Sequence, residues 1–253
     1  GVSFFKPRVI ICVPSGITEV EERAVIQAAM EAGARRVYLI EAPLAAALGA
    51  QLDITAPEGR MVVDIGGGTT EVAVVSLGGV VESESIKTAG DAFDEAIVRY
   101  VRRKHNILIG KRTAEELKIG IACLVPRAEV GIQEVKGRCL TTGLPKSVKI
   151  SSVELVEAIA EPARDILETI HMVLERTPPE LVSDIAQNGI VMAGGGSLIY
   201  GFDQLVEKDT GIRTTVVDDA LSCAAFGSGK MLMNLNDMPE GMVNLARKRQ
   251  MKA

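Results

Sequence analysis

The sequence predicts an α/β protein with a parallel sheet, and three observations carry that prediction. Apolar runs of strand length alternate with amphipathic stretches of helical period along the chain. Two of the strand-like runs end in glycine triplets, Gly66-Gly67-Gly68 and Gly194-Gly195-Gly196. The chain has 253 residues, 47% of them hydrophobic, which is enough apolar material for one large domain or two lobes.

Val9-Ile10-Ile11-Cys12-Val13 is a continuous apolar run, as suits a central strand buried on both faces. Pro14-Ser15-Gly16 ends it. Thr18 with Glu21 three residues on is a capping box, so a helix is predicted from about residue 19 to 32, closed by Gly33. Val37 to Ile40 is the next strand, Glu41-Ala42-Pro43 a turn, and Leu44 to Gly49 a helix of small residues. Residues 53–59 read as a surface linker. A hairpin follows, its first strand ending at Asp64-Ile65, its turn at Gly66-Gly67-Gly68 and its second strand alternating from Thr70. Gly78-Gly79 turns the chain into a third strand, residues 80–87.

Gly90-Asp91 leads a helix from about Ala92 to Lys104, with Phe93, Ile97, Tyr100 and Val101 on one face. Thr113 caps another at residues 114–122. Residues 126–150 mix short strands and turns and form a small α+β insert. Ser152 caps a long helix from about residue 153 to 175, kinked at Pro162. Pro178-Pro179 starts a short helix. Ile190 to Ala193 is a strand, followed through its triplet by a helix at about residues 199–209. The N-terminus of that helix would offer free N–H groups to an anion or a base edge. A strand at residues 214–217 and a small-residue helix at 220–233 follow.

Composition narrows the function. A net charge of −5 argues against nucleic acid as a partner. No apolar run of about eighteen residues is present to span a membrane. The four cysteines are far apart and read as reduced core thiols of a cytoplasmic protein. Trp is absent and aromatics make up 3%, so stacking is not expected to dominate recognition. His105 and His171 are isolated from any partner at metal-ligand spacing.

Chemistry concentrates at the first triplet. Glycine backbone can approach a phosphate closely and aim successive N–H groups at it. Asp64 can hold a hydrated Mg²⁺ or orient a water, and Thr69 and Thr70 add hydroxyl donors. A purely structural turn is the alternative, but the acid, glycines and hydroxyls together favour nucleotide contact. Glu115 and Lys118, three apart on a helix, are either a solvated ion pair or a grip for a ribose and a base edge. Phe4-Phe5 beside Lys6 and Arg8 reads as a loop anchor, the alternative being a pair that dips into an anionic membrane surface. The Arg247-Lys248-Arg249 tail is either solvated or adds attraction to acidic lipid.

Each motif is weak alone, but their order is distinctive. Strand-DxGGGTT-strand, a Gly-Asp helix start, E-x-x-K on a helix, then strand-x-GGG: this order resembles the actin-like ATPase superfamily, and within it the MreB family of bacterial rod-shape actins. The matching segments include Val13-Pro14-Ser15-Gly16-Ile17-Thr18, residues 62–72, Arg112-Thr113-Ala114-Glu115, Thr142-Gly143-Leu144-Pro145 and Thr177-Pro178-Pro179-Glu180-Leu181. They run almost the length of the chain.

The resemblance implies an actin-like ATPase fold of ribonuclease H-like lobes, with ATP and Mg²⁺ as cofactors. It implies that Asp64, Gly66, Gly67, Gly68, Thr69 and Thr70 form the second phosphate hairpin, with Asp64 reaching the metal through water and Thr69 helping to place the attacking water. Glu115, Glu116, Leu117 and Lys118 would hold the adenosine, and Gly194, Gly195, Gly196 and Ser197 would lie beneath the adenine and α-phosphate. Phe4 and Phe5 match the apolar loop by which members enter the inner leaflet. The implied partners are further copies in a filament, inner-membrane lipid and cell-wall elongation proteins, at the cytoplasmic face of the membrane. The implied role is direction of cell shape and lateral cell-wall (peptidoglycan) synthesis. Residues 1–50 would be the remainder of lobe I, residues 51–89 and 151–217 the large subdomain of lobe II, residues 90–150 its small subdomain, and residues 218–253 a return to lobe I.

Two departures stand out. The family begins with a further hairpin carrying the first phosphate loop, and none precedes Gly1, so the chain is expected to be an N-terminally truncated member with lobe I incomplete. The family's water-activating glutamate directly precedes the proline of an E-P-x-A-A-A segment, and that position here is Ala42. Glu41 is one residue early, and on an extended backbone would face the other way. Hydrolysis is therefore expected to be weak or absent, and a hydrolysis-deficient scaffold that copolymerises with an active partner is the second reading. A kinase on this fold would need a substrate-binding insert and an aspartate base, and a chaperone would need a further domain. Neither pattern is seen.

Overall fold

The structure is a computed structural model and describes residues 6–233. Phe4, Phe5 and the basic tail lie outside the described residues.

Strands β1 (Arg8–Val13) and β2 (Arg36–Glu41) pair in parallel, and helix α1 (Glu19–Glu31) connects them. The helix starts at the expected capping box: Thr18 accepts from the Glu21 amide, and Glu21 from the Thr18 amide at 3.0 Å. Gly33 follows its end at φ +104°, a value glycine reaches without a Cβ clash. The expected burial of β1 on both faces does not hold. Val9, Ile10 and Ile11 are half-buried and Cys12 is exposed, because among the described residues β2 is its one strand partner. Cys12 is thus not a core thiol, whereas Cys123, Cys139 and Cys223 are buried.

Helix α2 (Ala42–Gly49) begins where β2 ends, with proline in its first turn and Leu44 to Ala47 buried. It packs on helix α9 (Cys223–Met233), which starts three residues later than the sequence suggests. A Cβ on Gly227 would overlap the Ala45 carbonyl oxygen, and one on Gly49 the Cys223 carbonyl oxygen. The small residues of both helices therefore serve backbone-to-backbone approach.

The central sheet is built from β3 (Arg60–Ile65), β4 (Thr70–Ser76), β5 (Gly79–Ile86), β9 (Ile190–Ala193) and β10 (Thr214–Val216). Its order is β10-β9-β3-β4-β5, with β3, β9 and β10 parallel and β3 to β5 an antiparallel meander. Side chains alternate between its faces. Met61, Val63, Ile65, Val72 and Val74 join the larger core, while Val62, Val75 and Ala193 face α2 and α9. Residues 53–59 are more than a surface linker: Ile54 is buried, and its carbonyl accepts from the Gly78 amide at 2.7 Å.

The larger core is closed by α3 (Gly90–His105), α6 (Ala160–Arg176), α7 (Pro179–Asn188) and α8 (Phe202–Thr210). It continues into a second unit, where α4 (Lys111–Ile121) packs on an antiparallel sheet of β6 (Ile107–Leu108), β7 (Ile132–Cys139) and β8 (Pro145–Ser151). Thr113 does not cap α4. The Gly110 carbonyl already accepts from the Ala114 amide, so Gly110 is the cap. The long helix is also divided, into α5 (Ser152–Ala158) and α6. Ser151, boxed with Glu154, caps α5 in place of Ser152. The break falls at Ile159 and not at Pro162, because a proline ring clashes with the carbonyl four residues back, here that of Ala158.

Candidate nucleotide-binding site

A cavity of about 560 Å³ opens where β3 and β9 end. These strands are parallel neighbours with Asp64 beside Ala193, so the two glycine triplets leave the sheet side by side. Ligands of open α/β sheets bind outside such carboxyl ends. The wall takes Asp64, Gly66 and Gly67 from one loop, Gly194, Gly195 and Gly196 from the other, and Gly90, Glu115 and Lys118 from α3 and α4.

The first triplet is a tied turn with an open outer side. The Gly66 amide donates to the Thr69 carbonyl at 2.9 Å. The Gly66 and Gly67 carbonyls accept from the Gly90 and Asp91 amides, docking the start of α3 on the loop. A Cβ on Gly67 or Gly68 would meet nothing within 4 Å, which leaves the space a phosphate needs. Gly68 and Thr69 sit in this turn without lining the cavity. The expectation for Thr70 needs correction: it is buried, and its hydroxyl donates to the Thr88 carbonyl at 2.7 Å. Strand alternation turns Thr70 inward, so it braces the loop.

The second triplet is packed. Gly194 has φ +79°, and a Cβ there would overlap the Ile65 carbonyl oxygen and come within 2.5 Å of Asp64 Oδ1. A Cβ on Gly196 would overlap Ile65 Cγ2. The segment Gly195–Leu198 forms a 3₁₀ turn, and the buried Ser197 hydroxyl donates to the Gly194 carbonyl at 2.7 Å. Ser197 therefore holds the turn and does not line the cavity. The expected helix N-terminus is not at this loop. Gly201, at φ +76°, interrupts the helix, and α8 starts only at Phe202.

On α4 the helical period sorts the four predicted residues. Glu115 and Lys118 line the cavity. Glu116 turns outward to Arg112 at 3.1 Å, and Leu117 is buried in the core, so neither side chain reaches the cavity. Lys118 does not pair with Glu115. Its ammonium contacts the Asp94 carboxylate at 2.8 Å and donates to the Gly90 carbonyl at 2.9 Å, joining α4 to α3.

Burial, and then the neighbouring Glu71 carboxylate, push the Asp64 carboxyl up to about 6. Glu71 is opposite Asp64 in the β3–β4 ladder and is buried. It accepts from the Ser85 hydroxyl at 2.7 Å and from the Ser15 amide at 3.3 Å. The Ser15 hydroxyl in turn donates to Glu41 at 3.4 Å, and burial raises that carboxyl as well. Glu41 thus stands on the side of Glu71, not away from it. Neither Glu41 nor Ala42 lines the cavity. Glu71 was missed from the sequence, although an acid inside an apolar strand was a visible signal.

These features fit a nucleotide with a divalent cation. The volume is that of a small-ligand site, and the outer side of Gly67 and Gly68 is open. Asp64 is a half-buried carboxylate whose charge a cation would stabilise. Among the described residues no cluster of three His, Cys, Asp or Glu could hold a metal ion. Mg²⁺ would therefore take the rest of its shell from water and phosphate, as it usually does. A second hollow of about 660 Å³, between the end of α2 and α9, is lined by Phe226, Asp218 and Lys230 but has neither triplet.

A sheet with two parallel strands ending in glycine loops over one cavity, flanked by the smaller α4–β7 unit, defines a protein of the actin-like ATPase fold. A profile described as MreB/Mbl protein matches residues 1–240, and the chain belongs to that family. It is 51% identical over 226 residues to the cell shape-determining protein MreB of Escherichia coli (strain K12), covering 89% of this chain and 65% of that protein. It is 45% identical over 237 residues to the cell shape-determining protein Mbl of Bacillus subtilis (strain 168), covering 94% and 71%. Among solved structures, MreB5 of Spiroplasma citri bound to ADP superposes with a TM-score of 0.88 at 39% identity, covering 90% of this chain and 69% of that one. The MamK double helical filament superposes at 0.77 with 22% identity and covers 92% and 70%, a likeness of fold alone.

Proposed function

We propose that this chain is part of a bacterial actin-like cytoskeletal protein that binds ATP with Mg²⁺ and assembles into membrane-associated filaments that direct cell shape and lateral cell-wall synthesis. The observation that carries the reading is the cavity bounded by Asp64 and both glycine loops. The related Spiroplasma citri protein has been solved with ADP and with AMPPNP, which supports nucleotide binding here. Gly66 to Gly68 would cradle phosphate, Asp64 would meet the cation through water, Thr69 would help place the attacking water, and Glu115 and Lys118 would border the nucleoside. Mg²⁺, when bound, screens phosphate charge. Calorimetric titration with Mg·ATP is expected to show saturable binding that Asp64→Ala weakens at least about ten-fold. Absence of saturable binding would overturn the reading.

The membrane part of the proposal rests on Phe4 and Phe5. Liposome pelleting of the Phe4→Ala/Phe5→Ala variant is expected to fall, and unchanged pelleting would remove that part.

A second reading, a nucleotide-binding scaffold that does not hydrolyse and copolymerises with an active partner, is favoured by Ala42. A methyl group has no lone pair with which to accept a proton, and general-base work needs such a group within hydrogen-bond reach. Ala42→Glu is expected to raise phosphate release at least about ten-fold. Equal turnover by both forms would show that another residue supplies the base.

A further inference from the structure

Helix α9 has two faces. Cys223, Gly227 and Met231 lie on the side toward α2 and are buried. Phe226, Gly229, Lys230 and Met233 recur at helical spacing on the other side and line the hollow of about 660 Å³ at the end of α2. Phe226 is 58% and Met233 87% exposed. Large apolar side chains around a concavity and left to water mark a docking surface.

The charge of the hollow narrows what can dock. Asp218 and Asp219, exposed between β10 and α9, belong to the same wall. Among the described residues neither has an ion-pair partner. Lys230 does not answer them, since its ammonium donates to the Leu48 carbonyl at 3.0 Å. An apolar floor with two uncompensated carboxylates on its rim is complementary to an apolar segment that carries positive charge.

This chain has such a segment within reach. Residues 234–253 lie outside the described residues, and Met233, from which they continue, is itself part of the wall. Their later part has the apolar Met242, Val243 and Leu245, then Arg247-Lys248-Arg249 and Lys252, and no acid after Glu240. The intervening residues 234–241 can span at most about 28 Å when extended, enough to turn back on the hollow. A tether of that length gives an effective concentration on the order of millimolar, so a weak contact suffices for occupancy.

We propose that residues 242–253 dock in the hollow between α2 and α9 of their own chain, with Arg247 to Arg249 on Asp218 and Asp219 and the apolar residues on Phe226 and Met233. The docked tail is withheld from any other acidic surface, a layer of lipid headgroups included. High salt weakens the ionic half of the contact and leaves the apolar half.

The test is the rate at which trypsin cuts the full chain after Arg247, Lys248 and Arg249, read by mass spectrometry against a synthetic peptide of residues 234–253. At low salt the wild type is expected to be cut at least about ten-fold more slowly than the peptide. Asp218→Asn/Asp219→Asn and, separately, Phe226→Ala are each expected to bring the rate to within about three-fold of the peptide. The thermal transition should not move, since substitutions of exposed side chains cost little stability. Cutting of the wild type at the peptide's rate would overturn the proposal, as would protection that survives both variants. Protection that rises with protein concentration would overturn it by giving the hollow to the tail of a second copy. Protection that appears only with vesicles containing phosphatidylglycerol would overturn it by giving the bases to lipid.

Discussion

The two glycine triplets are identical in sequence and different in physical purpose. At Gly67 and Gly68 an added Cβ would meet open space. At Gly194 and Gly196 it would strike Ile65 on the neighbouring strand. The first triplet leaves open space beside its backbone, the space that the proposed function gives to a phosphate. The second is glycine so that the protein can come close to itself, bringing β9 and its turn against β3 beside Asp64. A glycine run is therefore evidence of close approach, and only the neighbours say what approaches.

Substitutions can break this contrast. Gly194→Ala combines a positive φ with a backbone clash and is expected to cost on the order of 4 kcal/mol in chemical denaturation. A cost under about 1 kcal/mol would show that the second loop is not packed as described. Next in size is Asp64→Asn in the ligand-free protein. Its folded carboxyl is raised to about 6 from the ordinary 3.8, so the folded state holds the proton more tightly than the unfolded one. Below pH about 4 both states are protonated and the substitution is neutral. Between about 4 and 6 the unfolded state releases its proton first and wild-type stability falls, and above 6 the full penalty remains. Asp64→Asn should therefore stabilise the free protein by up to about 3 kcal/mol at pH 7 and by nothing at pH 3.5. A gain independent of pH would refute the assignment. The smallest structural effect belongs to Gly67→Ala, expected within about 1 kcal/mol of wild type in stability. It should nonetheless lose about ten-fold or more in Mg·ADP affinity, since a methyl group there occupies the phosphate approach. Stability lost without affinity would erase the distinction between the loops.

Much of the fold was legible because local rules governed it. The capping box at Thr18 and Glu21 and the alternation of Met61 to Ile65 are decided within a few residues, and the structure has them; the turn expected at Gly78-Gly79 lies one residue earlier, at Leu77-Gly78, with Gly79 already in β5. Local reading failed where a competing local cap or a distant residue intervened. Gly110 took the cap from Thr113, and Pro162 moved the break to Ile159. Cys12 looked like a core residue because five apolar residues in a row do not reveal how many strands flank them.

The candidate site divides in the same way. The sequence by itself determined that Asp64, both glycine triplets and the Glu115–Lys118 face exist, because strand ends, turns and helical period are short-range properties of the chain. Tertiary structure alone decided that the two triplets lie side by side, that Lys118 answers Asp94, and that the Arg127 guanidinium lies over the Tyr200 ring, 73 residues away in sequence. Those pairings join segments that no local propensity connects. They follow from how the apolar faces of separate strands and helices bury one another.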